Sequence, residues 1–217
     1  MKRLIIIWLF VFVTGFASAQ SRIYISGGIS TSLGGNLATF DATHPAAWSA
    51  DLEWQKKLAG SVSVVTGISA FNVSYVNDST TFGSVSKFNA IYVGVPLIAR
   101  WNFGNKNLFY MDLGFQPYYL VDAHLTESVI RFGDVRTVDA DITSYSTRLY
   151  ASIKFQQVFA FNRVILAIYI VFPFAGQSPV GNLADHWPIN LQNSTYLLSN
   201  GYSDFFIFGL KTGIRIK

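Results

Sequence analysis

The sequence predicts an all-β fold, an eight-stranded antiparallel up-and-down transmembrane β-barrel with short periplasmic turns and long extracellular loops. Hydrophobic residues make up 51% of the chain, aromatic residues 16% and charged residues only 13%, against about 25% charged residues in soluble domains. After residue 20 no apolar run reaches the about 18 residues that a membrane helix needs. Polar and apolar residues instead alternate with period two, which is typical of strands. In lipid, only a closed sheet gives every backbone N–H and C=O group of such strands a hydrogen-bond partner.

The N-terminus predicts export. Lys2 and Arg3 precede an apolar stretch at 4–17, and Ala17-Ser18-Ala19 fits a signal-peptidase site. We therefore expect a cleaved signal peptide at 1–19 and a single barrel domain at 20–217. The chain contains no cysteine, so disulfides and thiolate chemistry are excluded.

The clearest strand signal is the stretch 91–121. Its two arms flank residues 104–107, Gly-Asn-Lys-Asn, which suit a tight turn because Gly and Asn tolerate positive φ. From Phe109 to Tyr119 the second arm rises roughly 33 Å. Tilted by about 40°, it spans the height of about 25 Å that a membrane barrel needs.

The remaining strands follow from the same alternation. The cleanest runs along 47–57, where Trp48, Ala50, Leu52 and Trp54 face out and the residues between them, including Lys57, face in. The strand at 61–76 loses its phase near Val64-Val65, so we expect a bulge there. The eight predicted strands are 22–32, 47–57, 61–76, 91–103, 108–121, 149–160, 164–174 and 205–216.

The predicted connections between strands alternate between short turns and long loops. Tight turns at 58–60, 104–107 and 161–163 alternate with predicted loops at 34–46, 77–89, 122–148 and 175–204. Outer-membrane barrels place short turns in the periplasm and long loops outside. Aromatic residues are expected in two girdles at the two interfaces. Their members are Trp54, Trp101 and Phe109 at the turn end, and Trp48, Tyr119 and Phe206 at the loop end.

With the strands phased, six charged residues face the interior, three acids against three bases. Because buried charges persist when they are paired, we expect a neutral polar network that fills the lumen. On this interpretation Lys154→Met should destabilise the barrel, and a narrow ion path is the functional alternative. The six residues are Asp51, Glu53, Arg100, Asp112, Lys154 and Lys211.

Outside the lumen the two ends differ in charge. The turn end carries bases and no acid, which suits the phosphates of a membrane surface. The loops carry most of the acids, and a solvated acidic surface is the plain interpretation. The turn-end bases are Arg22, Lys56, Lys57, Lys106, Arg163, Arg215 and Lys217.

Several segments resemble a known family. They are the signal peptide ending in ASAQ, the segment YVGVPLIAR from Tyr92 to Arg100, the Gly-Asn-Lys-Asn turn and the segment YMDLG from Tyr110 to Gly114. The chain resembles the PorT-like, porin-family β-barrel domain of Bacteroidetes-type outer membranes over 20–217. The resemblance implies an eight-stranded outer-membrane barrel. Although PorT is associated with secretion, the resemblance implies the fold and no particular activity.

Catalytic candidates are confined to the predicted loop 122–148. Asp122-Ala-His124 and Asp139-Ala-Asp141 are the short acidic motifs that a rim protease pairs to activate water. His124, Glu127 and Ser128 contain the residue types of a lipid deacylase triad. Such short patterns are frequent in acidic loops, so a rim hydrolase using Asp122, His124 or Glu127 is an alternative and the prediction is a protein that is not an enzyme. No metal-ligand spacing and no cofactor motif occurs.

The predicted function is therefore a non-catalytic outer-membrane scaffold or surface-binding protein acting through the loops 122–148 and 175–204. Expected partners are outer-membrane lipid and lipopolysaccharide, with envelope or secretion-system proteins as further candidates and no nucleic acid. The oligomeric state and the particular ligand are not predicted by any pattern in the chain.

Overall fold

A computed structural model shows a closed antiparallel β-barrel. The structure describes residues 21–34, 42–43, 46–79, 84–103, 108–131, 134–144, 148–173 and 205–216. The predicted signal peptide and the predicted loop 175–204 lie outside these ranges. The strands are β1 Ser21–Gly34, β2 Ala42–Thr43, β3 Ala47–Ala59, β4 Val62–Ser79, β5 Ser84–Gly94, β6 Leu97–Phe103, β7 Phe109–Arg131, β8 Asp134–Asp141, β9 Leu149–Phe161, β10 Val164–Pro173 and β11 Phe205–Arg215.

Eight positions around the barrel wall, which we call staves, are each filled by one strand or, in one case, by two consecutive strands. Going round from β1, the neighbours are β3, β4, the pair β5 and β6, then β7, β9, β10 and β11, which pairs back to β1. The strands β5 and β6 form one stave that is interrupted at Val95 and Pro96. Proline has no N–H to donate, so a ladder breaks where it occurs. The predicted eight-stranded antiparallel barrel is confirmed.

The tight turns follow from local chemistry. Gly60 has φ of 53° in the turn between β3 and β4, and Asn162 has φ of 56° in the turn between β9 and β10. Glycine and asparagine are the residues that tolerate this left-handed conformation at low cost. The turn at 104–107 lies outside the described residues.

The predicted loops are wrong in part, because strands extend into them. Residues 77–79 and 84–89 belong to β4 and β5, and the predicted loop 122–148 contains the end of β7 and all of β8. The register explains the error in β7: Ile91 pairs with Asp122 and Tyr92 with Leu120, so Val121 is an extra residue. A bulge of one residue reverses the inward and outward faces beyond it, and the period-two pattern therefore continues in the opposite phase after Val121.

The bulge predicted near Val64-Val65 is also wrong. These two residues pair in continuous register with Lys56 and Gln55, and the register shift on this hairpin lies between Lys57 and Ala59. Lys57, which alternation predicted to face in, is exposed at this shift. The inward face of β4 is regular, with Ser63, Val65 and the alternate residues beyond them buried.

The strands that extend past the barrel form a sheet above it. In order across the sheet these are β2, β4, β5, β7 and β8. Ile142 follows β8 and donates its N–H to the Ala123 carbonyl at 2.9 Å, and its side chain is buried. We call the part of this sheet formed by residues 122–131 of β7 and by β8 the rim extension.

Candidate functional site: the filled lumen and the rim extension

The barrel interior has three layers. At the turn end a small apolar cluster contains Tyr24 and Tyr110, and the middle layer is polar. At the loop end an aromatic cluster fills the lumen, with Phe71 stacked on Tyr92 at 5.4 Å between ring centroids and set edge-on to Tyr118 at 4.6 Å. Offset and edge-to-face rings of this kind pack as densely as other protein cores.

The structure places all six predicted lumen residues in the polar layer, each at most 5% exposed. They come from five staves, because alternation along each strand turns one polar residue in two toward the axis. The six residues are Asp51 and Glu53 on β3, Arg100 on β6, Asp112 on β7, Lys154 on β9 and Lys211 on β11.

Arg100 is the most connected of them. Its Nε and Nη2 donate to the two carboxylate oxygens of Asp112, both at 2.8 Å, and Nη2 lies 3.4 Å from a Glu53 oxygen. Its guanidinium carbon is 5.4 Å and 5.3 Å from the ring centroids of Tyr24 and Tyr110. The planar fork thus makes a bidentate ion pair and a contact with two aromatic rings, which a lysine does not reproduce.

Lys211 neutralises the other acids. Its Nζ donates to Asp51 at 3.0 Å and to Glu53 at 2.8 Å. The second Asp51 oxygen accepts from the Ser69 hydroxyl. Opposite Glu53 on β4 stands Gly67, where a Cβ would lie against the Leu52 carbonyl, so glycine is what lets the two strands approach here.

Sequence reasoning did not assign the neutral groups that complete the network. Gln55 accepts from Arg100 at 3.2 Å and from Tyr24 at 2.9 Å, and Gln156 donates to Asp112 at 3.0 Å. Both glutamines lie on the inward face predicted for their strands. A polar residue at an inward position is the signal that could have found them.

Lys154 differs from the other two bases. Among the described residues no carboxylate oxygen lies within 4.0 Å of its Nζ. The ammonium lies 5.1 Å from the Tyr169 ring centroid and lines a small cavity with Gln116, whose Nε2 has no partner in the described part of the chain. The cavity has about 20 Å³ of space for water centres, enough for a single water.

The structure therefore revises the expected result of Lys154→Met. The substitution removes a cation that forms no direct ion pair among the described residues, but Asp51 lines the same cavity and attracts that ammonium. We therefore expect the free energy of unfolding to fall by about 1–2 kcal/mol, less than the about 3–5 kcal/mol of a broken buried ion pair. Urea titration of the refolded barrel in detergent micelles measures it. A loss above about 2 kcal/mol would mean that Lys154 has a direct charged partner.

The predicted girdle residues lie where the strand phases put them, on the outer surface. Trp48 and Tyr119 are exposed at the loop end, and Trp54 and Trp101 are half-buried at the turn end. Phe109 lies beside Phe103 and Phe159, with ring centroids 5.7 Å and 5.3 Å apart. The Phe206 side chain lies outside the described residues.

The rim extension holds the catalytic candidates. His124 Nε2 lies 3.3 Å from Asp122 Oδ1, and both side chains are more than two-fifths exposed. His124 pairs across the hairpin with Asp141, whose pKa is lowered by hydrogen bonds from the Thr143 side chain and backbone. The two sequence motifs are thus neighbours on one solvent-facing surface.

The described side chains of the rim extension do not bring Ser128 and His124 together as a catalytic pair, since the two residues are four positions apart on one strand. Ser128 Oγ is 3.0 Å from Thr137 Oγ1, so the predicted hydroxyl nucleophile is bonded to another hydroxyl. The Glu127 side chain lies outside the described residues. Among the described residues no group of three His, Cys, Asp or Glu could hold a metal ion. His124 and Asp122 form an exposed surface pair, and neither residue lines the cavity beside Lys154.

Comparison with known proteins gives only distant likeness. No family model and no curated protein matches the chain. The solved structures it resembles include Ail, the attachment invasion locus protein of Yersinia pestis, at 10% identity and TM-score 0.43, covering 90% of this chain and 97% of that one. Neisserial surface protein A is 12% identical with a TM-score of 0.42, covering 91% of this chain and 96% of that one. Acinetobacter baumannii CarO is 13% identical with a TM-score of 0.46, covering 86% of this chain and 96% of that one. The fold assignment rests on the strand order and pairing of this chain.

Proposed function

We propose that this protein is an outer-membrane β-barrel that binds a partner at the cell surface through its rim extension and carries out no catalysis. The observation that supports membrane insertion is an inversion of the usual burial pattern. Six charged residues are buried in the middle layer of the interior, while large hydrophobic side chains are exposed on all eight staves. A continuous exposed apolar surface of this extent marks a membrane contact.

The exposed hydrophobic side chains form a belt around the outer surface, and every stave contributes to it. Among its most exposed members are Ile29, Leu149, Phe161 and Ile214, at 54% to 63%. No helix in the described part of the chain is long and apolar enough to cross a membrane. With short turns facing the periplasm, as in other outer-membrane barrels, the rim extension lies outside the cell.

The rim extension supports the binding role. Its outward face carries the exposed acids Asp139 and Asp141 beside Asp122 and His124. A rigid, paired hairpin costs less conformational entropy on binding than an unstructured loop. Its acidic face favours a basic partner, because complementary charge raises the association rate.

A conducting channel is not supported by the lumen. The polar layer lies between the Tyr24–Tyr110 cluster and the aromatic cluster, and eight staves leave an interior that side chains can fill. The PorT-like resemblance adds no further activity to this proposal.

Two measurements test the proposal in order. The refolded mature chain should migrate faster than the boiled chain on a detergent gel and should fractionate with the outer membrane; recovery as a soluble periplasmic monomer contradicts insertion. A photo-crosslinker at Thr137, on the rim extension, should then capture a partner in intact cells, with Asn162 at the opposite end as the control site. Equal capture at both sites contradicts the binding role.

A further inference from the structure

We propose that the cavity beside Lys154 is a binding site for one water molecule, which joins Lys154, Gln116 and Asp51 through hydrogen bonds. Phe71 and Tyr118 of the aromatic cluster form part of the cavity wall, and every residue that lines it is at most 9% exposed. The water is thus a closed part of the filled lumen and no step of an aqueous path. The inference concerns the barrel interior and does not depend on a partner at the rim extension.

Gln116 supplies the first hydrogen-bond donor to the cavity. Its side chain is fully buried, and its Oε1 accepts from the Tyr118 hydroxyl. Its Nε2 is left without a partner in the described part of the chain. An unsatisfied buried donor costs free energy, and buried polar groups that lack a protein partner are usually bonded to ordered water. Since Gln116 lines the cavity, its amide indicates an acceptor there.

Lys154 and Asp51 line the same cavity and complete the set of partners. The Lys154 ammonium has three N–H donors, and the contact described for it is with the Tyr169 ring. Each Asp51 oxygen accepts one hydrogen bond, from Ser69 or from Lys211, and a carboxylate oxygen can accept a second. Two donors and one acceptor are the usual number of partners for a buried water.

Size and charge select water as the ligand. The space of about 20 Å³ for water centres is room for one water molecule. The six lumen charges already cancel, so a bound ion would leave a net charge in an interior shielded from solvent, which is costly. A cation would also be repelled by the Lys154 ammonium, and an anion by the Asp51 carboxylate, since both groups line the cavity.

Water-selective nuclear Overhauser spectra of the refolded barrel in detergent micelles, with isotope-labelled glutamine, test the site directly. We expect the Gln116 side-chain amide to show a cross-peak to a long-lived water, assigned by its loss in Gln116→Met. Gln55 is the control in the same polar layer, because its Nε2 donates to Ser63 at 3.0 Å and it does not line the cavity. Its amide should show no such cross-peak.

Lys154→Met provides a second variant that keeps the length of the side chain and removes one of the three partners of the water. We expect the cross-peak at Gln116 to fall to less than about half of its intensity, because a water with two partners is held less firmly. Lys87→Met removes an exposed lysine outside the lumen and should leave the cross-peak unchanged.

Crystals of the refolded barrel grown with bromide in place of chloride, or with rubidium in place of sodium, distinguish water from an ion. Both replacement ions scatter anomalously, and water does not. We expect electron density without an anomalous signal in the cavity, within about 3.2 Å of Lys154 Nζ and Gln116 Nε2.

Four outcomes would overturn the inference. Absence of a water cross-peak at Gln116 in the folded barrel shows that the cavity is dry. An equal cross-peak at Gln55 shows that water runs through the lumen and is not confined to one site. An anomalous peak in the cavity identifies an ion, and an unchanged cross-peak in Lys154→Met shows that Lys154 does not bind the water.

Discussion

Arg100→Met should cost about 3–5 kcal/mol in the free energy of unfolding, the range expected when one partner of a buried ion pair is removed. The substitution leaves Asp112 and Glu53 without their guanidinium partner in a layer where both are at most 1% exposed. It also removes the cation between the Tyr24 and Tyr110 rings. Urea titration in detergent micelles, followed by tryptophan fluorescence and by the shift between folded and boiled forms on a gel, measures the loss.

Lys154→Met is the matched control for this prediction. It removes one buried positive charge from the same layer and makes the same change in net charge, but breaks no direct ion pair among the described residues. If both variants lose equal stability, the cost follows from net charge and not from the pairing geometry. Arg100→Lys should recover only part of the loss, because an ammonium cannot bond both oxygens of Asp112 in the plane of the guanidinium fork.

Leu210→Arg should destabilise the barrel by about 2–4 kcal/mol in a lipid bilayer, the cost of an arginine at the midplane of the lipid-facing surface. Leu210 is 44% exposed between Ile29 and Ile168 on the neighbouring staves. Equilibrium refolding into vesicles at increasing urea measures the loss.

Depth provides the control for Leu210→Arg. Leu149 is 62% exposed at the loop end, where it pairs with the girdle residue Tyr119. Leu149→Arg should cost about 0–1 kcal/mol, because the guanidinium can reach the headgroups there. Equal costs at the two positions would contradict a membrane boundary at Tyr119.

The barrel could be predicted because most staves keep a regular alternation of polar and apolar residues through the belt, β10 being apolar on both faces. On β3 the residues from Trp48 to Gln55 show apolar side chains outward and polar ones inward without a break. The prediction fails where one residue changes the phase. Val121 is inserted into β7, and beyond it buried Ala123 and Leu125 alternate with outward Asp122 and His124 in the opposite phase, so a pattern continued from the belt misses this part of the strand.

The six lumen charges could be predicted for the same reason, since facing in depends only on position along a strand. The ion-pair partners of these charges could not be predicted, because they depend on the relative stagger of strands that are distant in sequence. The Lys211 ammonium reaches Asp51 and Glu53 across a separation of 158 to 160 residues. Equal numbers of acids and bases in the lumen therefore do not reveal that Lys154 lies beside a cavity.

The pairing of β1 with β11 has a consequence for how the protein must be made. This ladder runs from Tyr24 with Arg215 to Gly34 with Phe205. The first strand of the barrel therefore cannot complete its pairing until the last strand has been synthesised. Until then both strands present unpaired backbone edges, which are templates for aggregation. Closure over so long a separation is slow in comparison with local hairpin formation. We therefore expect the unclosed chain to aggregate unless these two edges are covered until β1 and β11 have paired.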